Sequence, residues 1–187
     1  RDSARLGVAQ SLDGGRSWEL IASINALPQC GGVGEGYCYL CEPHALEVAP
    51  GRILAMARWE QGGVPSAQRQ PSMLWQFESA DGGHSWSEPR PTEIIGKPPH
   101  LTRLSDGRVL LTYGYRHPPY GQRACLSADG GQSWDYGHEI VLRDDAPSED
   151  LGYPASVQAD DGTIVTVYYQ QEAAGEKTVL MMTRWRL

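Results

Sequence analysis

The chain has 187 residues, with 22 glycines, 13 prolines and a formal net charge of −7. So acidic a chain lacks the basic footprint that nucleic acid demands, and no apolar run approaches the length of a membrane span. Helix patterns are nearly absent. Short Val/Ile/Leu/Tyr alternations punctuated by Gly and Pro describe one all-β domain over residues 1–187.

The first strand signal, Arg5–Gln10, runs into Ser11-Leu-Asp-Gly-Gly-Arg-Ser-Trp18. The same pattern returns as Ser79-Ala-Asp-Gly-Gly-His-Ser-Trp86 after a strand at 73–77, and as Ser127-Ala-Asp-Gly-Gly-Gln-Ser-Trp134 after one at 122–126. Asp-Gly-Gly provides positive φ and a short carboxylate for nearby N–H groups, which is tight-hairpin chemistry. Asp13, Asp81 and Asp129 therefore read as turn-builders, with Trp18, Trp86 and Trp134 as the rings that cover the turns. The clustered ligands of a calcium loop are missing.

Next come Cys30, Cys38 and Cys41, followed by His44, in a Gly-rich stretch. This spacing lacks paired Cys-x2-Cys knuckles, so zinc is the weakest of three readings, behind a disulfide in an exported protein and plain thiols. No metal or cofactor is expected. Cys125, between Ala124 and Leu126, reads as core.

Three further hairpins superimpose on their turn glycines, Gly51, Gly107 and Gly162, which stand 56 and 55 residues apart. A proline lies eight residues before each: Pro43, Pro99 and Pro154. The repeating unit is strand, Gly turn, strand, loop, strand, Asp-Gly-Gly hairpin, strand. Four antiparallel strands per fifty-odd residues is the arithmetic of a β-propeller blade. On that count the chain divides into the end of a blade (1–28), two whole blades (42–95 and 97–145) and an incomplete last blade (151–187). A partial propeller is thus expected, an open fan that pairs with a missing N-terminal half or a second copy. Proline suits the first residue of an innermost strand.

The Ser-x-Asp-Gly-Gly-x-Ser-Trp copies resemble the Asp boxes, or BNR repeats, of the sialidase (neuraminidase) superfamily of six-bladed propellers. The inner hairpins extend the resemblance. Glu42 precedes Arg58 by sixteen residues, and Tyr153 stands nine before its turn glycine. The resemblance covers essentially the whole chain and matches the C-terminal half of a sialidase. It implies Tyr153 as nucleophile, Glu42 as its base and Arg58 as a clamp for the substrate carboxylate. Arg116 or, less well placed, Arg123 would be a further clamp, with His100 and His117 lining the sugar pocket. It also implies a glycan substrate, and an extracellular or periplasmic location.

The chemistry is coherent. A sialoside bears a carboxylate on its anomeric carbon, which would repel a carboxylate nucleophile, and a neutral Tyr hydroxyl avoids that. A three-residue turn ending in Gly51 would set Glu42 opposite Arg58 on the neighbouring strand. The expected function is retaining hydrolysis of a terminal sialic-acid-type sugar by the intact parent, with this chain alone inactive because the leaving-group acid and another clamp arginine belong to other blades. Two alternatives stand beside it: a non-catalytic Asp-box propeller that binds glycan or protein, and a propeller glycosidase for another sugar such as a uronate.

Overall fold

The computed structural model describes residues 5–25, 37–65 and 69–187. These residues form thirteen strands in four antiparallel sheets. The first sheet pairs β1 (Arg5–Gln10) with β2 (Glu19–Asn25). The second runs in order through β3 (Tyr37–Ala49), β4 (Arg52–Gly62), β5 (Met73–Ser79) and β6 (Arg90–Ile95). The third repeats that order with β7 (Pro99–Arg103), β8 (Val109–Tyr115), β9 (Gly121–Ser127) and β10 (Ile140–Arg143). The fourth holds β11 (Gly152–Gln158), β12 (Ile164–Gln171) and β13 (Thr178–Trp185). The sheets do not close on one another, and the architecture is a partial multi-bladed propeller.

Alternation along the strands explains the stacking. On β4, Leu54 and Met56 face one neighbour while Ala55, Ala57 and Trp59 face the other. Leu54 and Met56 join Ile94, Leu101, Leu111, Tyr113 and Trp134 in a core between the second and third sheets. Ala55, Ala57 and Trp59 join Ile24, Leu40 and Phe77 between the first and second. Leu104, Leu110, Ala124 and Ile164 fill the gap between the third and fourth. Period-two strands can bury both faces only when another sheet lies on each side, so each blade depends on its neighbours. Every large side chain buried there contributes about 1.5–3 kcal/mol.

The Asp-Gly-Gly segments are three copies of one hydrogen-bond pattern. In the third, Ser127 Oγ donates to Asp129 Oδ1 (2.8 Å) and accepts from Gly131 N (2.8 Å), while Asp129 takes Ser133 N (2.9 Å) and Ser133 Oγ (2.5 Å). Asp13 and Asp81 repeat it. Hydrogen bonds from Ser17 and Ser133 hold Asp13 and Asp129 down to about 2, and those from Ser85 lower Asp81 in the same way. The third copy also joins blades. Trp134 Nε1 donates to Gln76 Oε1 (2.9 Å), and Gln76 Nε2 donates to the Gly131 carbonyl (2.8 Å). A Cβ at Gly131 would stand 2.5 Å from Leu54 Cδ2, so only glycine permits this approach. The tryptophans differ in setting: Trp134 is 7% exposed, Trp86 packs on Phe77, and Trp18 is 66% exposed.

Two local expectations change. The strand expected to start at Glu42 begins at Tyr37. Pro99 does open its strand, but Pro43 and Pro154 lie inside β3 and β11, each at an interruption of the ladder. A residue without an N–H is tolerated there because these are edge strands with irregular pairing.

Candidate active site

The turn at Gly51 has φ +73°, and Gly82 N donates to its carbonyl (2.8 Å), so the second Asp box lies at that end of the sheet. β4 runs from there to the opposite end, where Arg58 sits. Its register partner on β3 is Cys41, not Glu42. Glu42 occupies a bulge between Cys41 and His44 and has φ +50°. Tyr153 occupies the same place in the fourth sheet, in the bulge between Gly152 and Ala155, with φ +52°. Among the described residues these are the two non-glycines with positive φ. Each is followed by a proline, which cannot donate to the ladder and so ends regular pairing. A left-handed conformation at such side chains costs about 1–3 kcal/mol each and is held by the surrounding structure.

The bulges re-aim both side chains toward the inner end of the fan, where they meet. Tyr153 Oη donates to Glu42 Oε1. Arg58 Nη1 donates to the other oxygen, Glu42 Oε2 (3.0 Å). Arg58 Nε and Nη2 both reach Glu60 Oε1 (2.7 Å), which also accepts from Lys97 Nζ (2.6 Å). Lys97 donates in turn to Ser72 Oγ (3.0 Å). Arg116 leaves β8 and donates through Nη2 to Tyr169 Oη (3.2 Å). Its Nε is buried without a partner. The Tyr169 ring lies 5.9 Å from that of Tyr153. Glu42, Arg58, Tyr153 and Arg116 are thus drawn together.

Charge is balanced around these groups. The hydrogen bond to Glu42 raises the Tyr153 hydroxyl above its ordinary value, burial adds to this, and Arg58 and Arg116 pull it down. The phenol is therefore protonated at neutral pH and donates to the Glu42 carboxyl group. Burial works against the Arg58 charge, but bonds to Glu42 and Glu60 more than offset it and fix the guanidinium. Burial likewise opposes ionisation of Glu60, and Lys97 and Arg58 overrule it, leaving its carboxyl below the usual range.

A groove of about 360 Å³ opens beside Tyr153, lined by Glu42, Pro43, His44, Pro98, Pro99, His100 and Pro154 as well. Three sheets contribute the same stretch of their inner strand. The imidazoles of His44 and His100 pack together, tilted by 41°, with centroids 4.2 Å apart. His44 Nδ1 accepts from Leu101 N (3.1 Å), and His100 Nδ1 accepts from Ser156 N (3.3 Å). Each histidine therefore ties its own inner strand to the next one. Both stay neutral: burial lowers His44, and burial together with His44 lowers His100 to about 4.

Other expected site residues fall elsewhere. Arg123 is buried, donates to the carbonyls of Pro119, Gln122 and Arg143, and lies 4.8 Å over the Tyr115 ring. Its fork is used by the backbone and has none left for a carboxylate at the mouth. His117 is set edge-on to Tyr115 at 5.7 Å. In the cysteine cluster, Cys30 lies outside the described residues, Cys38 is disulfide-bonded and Cys41 is a free thiol pushed up to about 11 by burial and Glu42. No group of three or more metal-ligating side chains occurs among the described residues. Sequence reasoning gives neither Lys97 nor Glu60 a place in the site. It also misses His44, although His44 and His100 both stand seven residues before their turn glycines, a coincidence that could reveal the pair.

The model of the family described as BNR repeat-like domain matches residues 2–166. No curated protein matches the chain in sequence. Among solved structures, a protein of unknown function from Dyadobacter fermentans DSM 18053 superimposes with a TM-score of 0.74 at 30% identity, covering 94% of this chain and 44% of that one. The Hadza microbial sialidase Hz136 gives 0.64 at 20% identity over 95% and 37%. A xylan β-1,4-xylosidase from Bacillus halodurans C-125 gives 0.62 at 12% over 91% and 33%. The last two likenesses are of fold. The chain spans less than half the length of each of these three relatives.

Proposed function

We propose, for a chain that belongs to the family of BNR repeat-like domains, that its mouth is half of the active site of a propeller exo-glycosidase acting on a carboxylate-bearing terminal sugar. The observation that carries this reading is the bonded trio of Tyr153, Glu42 and Arg58, presented by two matching bulges on different blades.

In the proposed reaction Glu42 accepts the phenolic proton as Tyr153 Oη attacks the anomeric carbon. The bond from that carbon to the aglycone oxygen breaks, and an acid protonates the departing oxygen. Glu42 is the one carboxylate lining the groove among the described residues, so that acid must come from elsewhere in the whole protein. Water, giving its proton to the conjugate base of that acid, then attacks the anomeric carbon and breaks the tyrosyl–sugar bond while Glu42 returns the proton to Tyr153, giving net retention by two displacements. Arg58 keeps the Glu42 carboxylate turned toward the phenol. Arg116 gives one bond from Nη2 to Tyr169 and offers its other terminal N–H groups to the substrate carboxylate.

A sialic-acid-type sugar fits the use of a neutral nucleophile, since its carboxylate sits on the carbon under attack. A uronate is the second reading. It is favoured by the commitment of the Arg58 fork to Glu42 and Glu60, which leaves Arg116 as the freer guanidinium. The test is release of 4-methylumbelliferone from its α-sialoside, β-glucuronide, β-xyloside and α-arabinofuranoside by the full-length protein and its Tyr153→Phe variant. Turnover of the sialoside, lost in the variant, supports the first reading, and turnover of the glucuronide supports the second. Hydrolysis of any of these at an equal rate by Tyr153→Phe refutes the nucleophile. Failure on all four refutes exo-glycosidase action on them and favours a binding propeller.

A further inference from the structure

A second opening lies outside the mouth. The core between the second and third sheets ends, on the mouth side, in a groove of about 220 Å³. Ile94, Tyr113 and Cys125 of that core line it, together with Ile95, Tyr115, Tyr136, Glu93 and Glu139. Tyr113 is fully buried, but its hydroxyl is turned to Glu139. The Tyr113 ring fits only because position 96 is glycine, where a Cβ would stand 2.2 Å from Tyr113 Cδ2. Arg123 Nε approaches the other oxygen of Glu139 (3.6 Å), and the Arg123 guanidinium covers Tyr115. Arg123, unsuited to the mouth, therefore builds this wall. Tyr136, on the short 3-10 turn Tyr136–His138, is 38% exposed and touches the Glu93 backbone across the gap.

The chemistry of this lining is specific. Tyr136 and the partly exposed Tyr115 offer ring surface for C–H groups and two glutamates offer acceptors for hydroxyls, which is what a pyranose or furanose ring presents. Glu139 already has Tyr113 and Arg123 against it, so only Glu93 remains without a charged partner at the groove. No free guanidinium is present among the lining residues to welcome a carboxylate. The volume is below that of a drug-sized pocket and suits a single ring.

We propose that this interblade groove is an auxiliary binding site for a neutral sugar ring. It is distinct from the mouth, where Arg116 points to an acidic sugar. The strand end from Tyr113 to Arg116 links the two, since Tyr115 lines the groove and Arg116 reaches the Tyr153 cluster. The groove stands on its own residues and holds whether or not Tyr153 is a nucleophile.

Methyl NMR on isoleucine-labelled protein tests it, with lactose, xylobiose and n-butylammonium as probes. A saturable shift of the Ile94 and Ile95 methyls is expected with at least one disaccharide. Affinity should fall about tenfold in Tyr136→Ala, whose side chain is on the surface, and also fall in Glu93→Gln, yet persist in Tyr153→Phe. No saturable shift, a shift lost in Tyr153→Phe but kept in Tyr136→Ala, or stronger binding of butylammonium than of either sugar would each overturn the proposal. Because Tyr153→Phe removes the mouth hydroxyl alone, failure here and failure of the hydrolysis assay are separate results.

Discussion

The paired histidines of the inner strands make stability depend on pH. His100 Nδ1 must be unprotonated to accept Ser156 N, and the ring is held to about 4 by burial and by His44. Unfolded, the same imidazole titrates near 6.5. Because the folded midpoint is the lower one, the unfolded chain takes up a proton first. The stabilising contribution is full above about pH 6.5 and is lost as pH falls toward about 4. At about pH 5 the linkage amounts to roughly 2 kcal/mol for this one group, and solvent screening at a half-buried ring reduces it to about 1 kcal/mol. His44, lowered by burial as well, adds in the same direction. For a chain of this size about 1 kcal/mol displaces Tm by about 2–4 °C. The informative variant is His100→Asn, whose side-chain oxygen can take the place of Nδ1 as acceptor without titrating. Urea unfolding at several pH values should show a drop in stability between about pH 7 and about pH 5 that shrinks by about 1 kcal/mol in His100→Asn. An identical slope in both proteins would refute the neutral-acceptor argument.

Four further outcomes are expected. Gly131→Ala brings a Cβ to 2.5 Å from Leu54 Cδ2 at a residue with φ +88°, and should cost about 2 kcal/mol or more in chemical denaturation. Gln76→Met leaves both Trp134 Nε1 and the Gly131 carbonyl without partners, and should lower stability by about 2–4 kcal/mol, seen as an earlier urea midpoint with unchanged m-value. Carboxyl NMR titration should place Asp13 and Asp129 near 2, so their support of the turns is full above the unfolded value of 3.8 and is lost progressively as pH falls from there to about 2. Glu60→Gln should weaken any activity of the full-length protein, because Arg58 and Lys97 lose their shared anion, with a crystal structure of the variant showing the Arg58 guanidinium displaced from Glu42.

Much of the fold is legible in the residues because its punctuation repeats. Three Asp boxes and three turn glycines set the strand order and place Glu42, Arg58 and Tyr153 at equivalent ends of their hairpins from spacing alone. The way the ladders break is harder to see. The prolines after Glu42 and Tyr153 suggest strand starts, since a residue without an N–H suits the first position of an edge strand. Such a proline can also force a bulge, and the spacing of sixteen between Glu42 and Arg58 includes that extra residue. The ion pair from Glu60 to Lys97 links the end of one sheet to the entry of the next, a meeting that sequence distance does not show. Arg123 misleads because an arginine at the outer end of a strand pair can be consumed by loop carbonyls, and only packing reveals which.

The pair of matching bulges has one more consequence. Glu42 and Tyr153 belong to inner strands that are not neighbours, since β7 lies between β3 and β11. The separation of the Tyr153 hydroxyl and the Glu42 carboxyl group is therefore set by the thickness of β7 and of the rings packed on it, like the jaws of a caliper held by a gauge block. No loop has to fold over for the two groups to meet. Their separation is a dimension of the blade array, and a residue inserted in β7 would detune it while leaving both side chains intact.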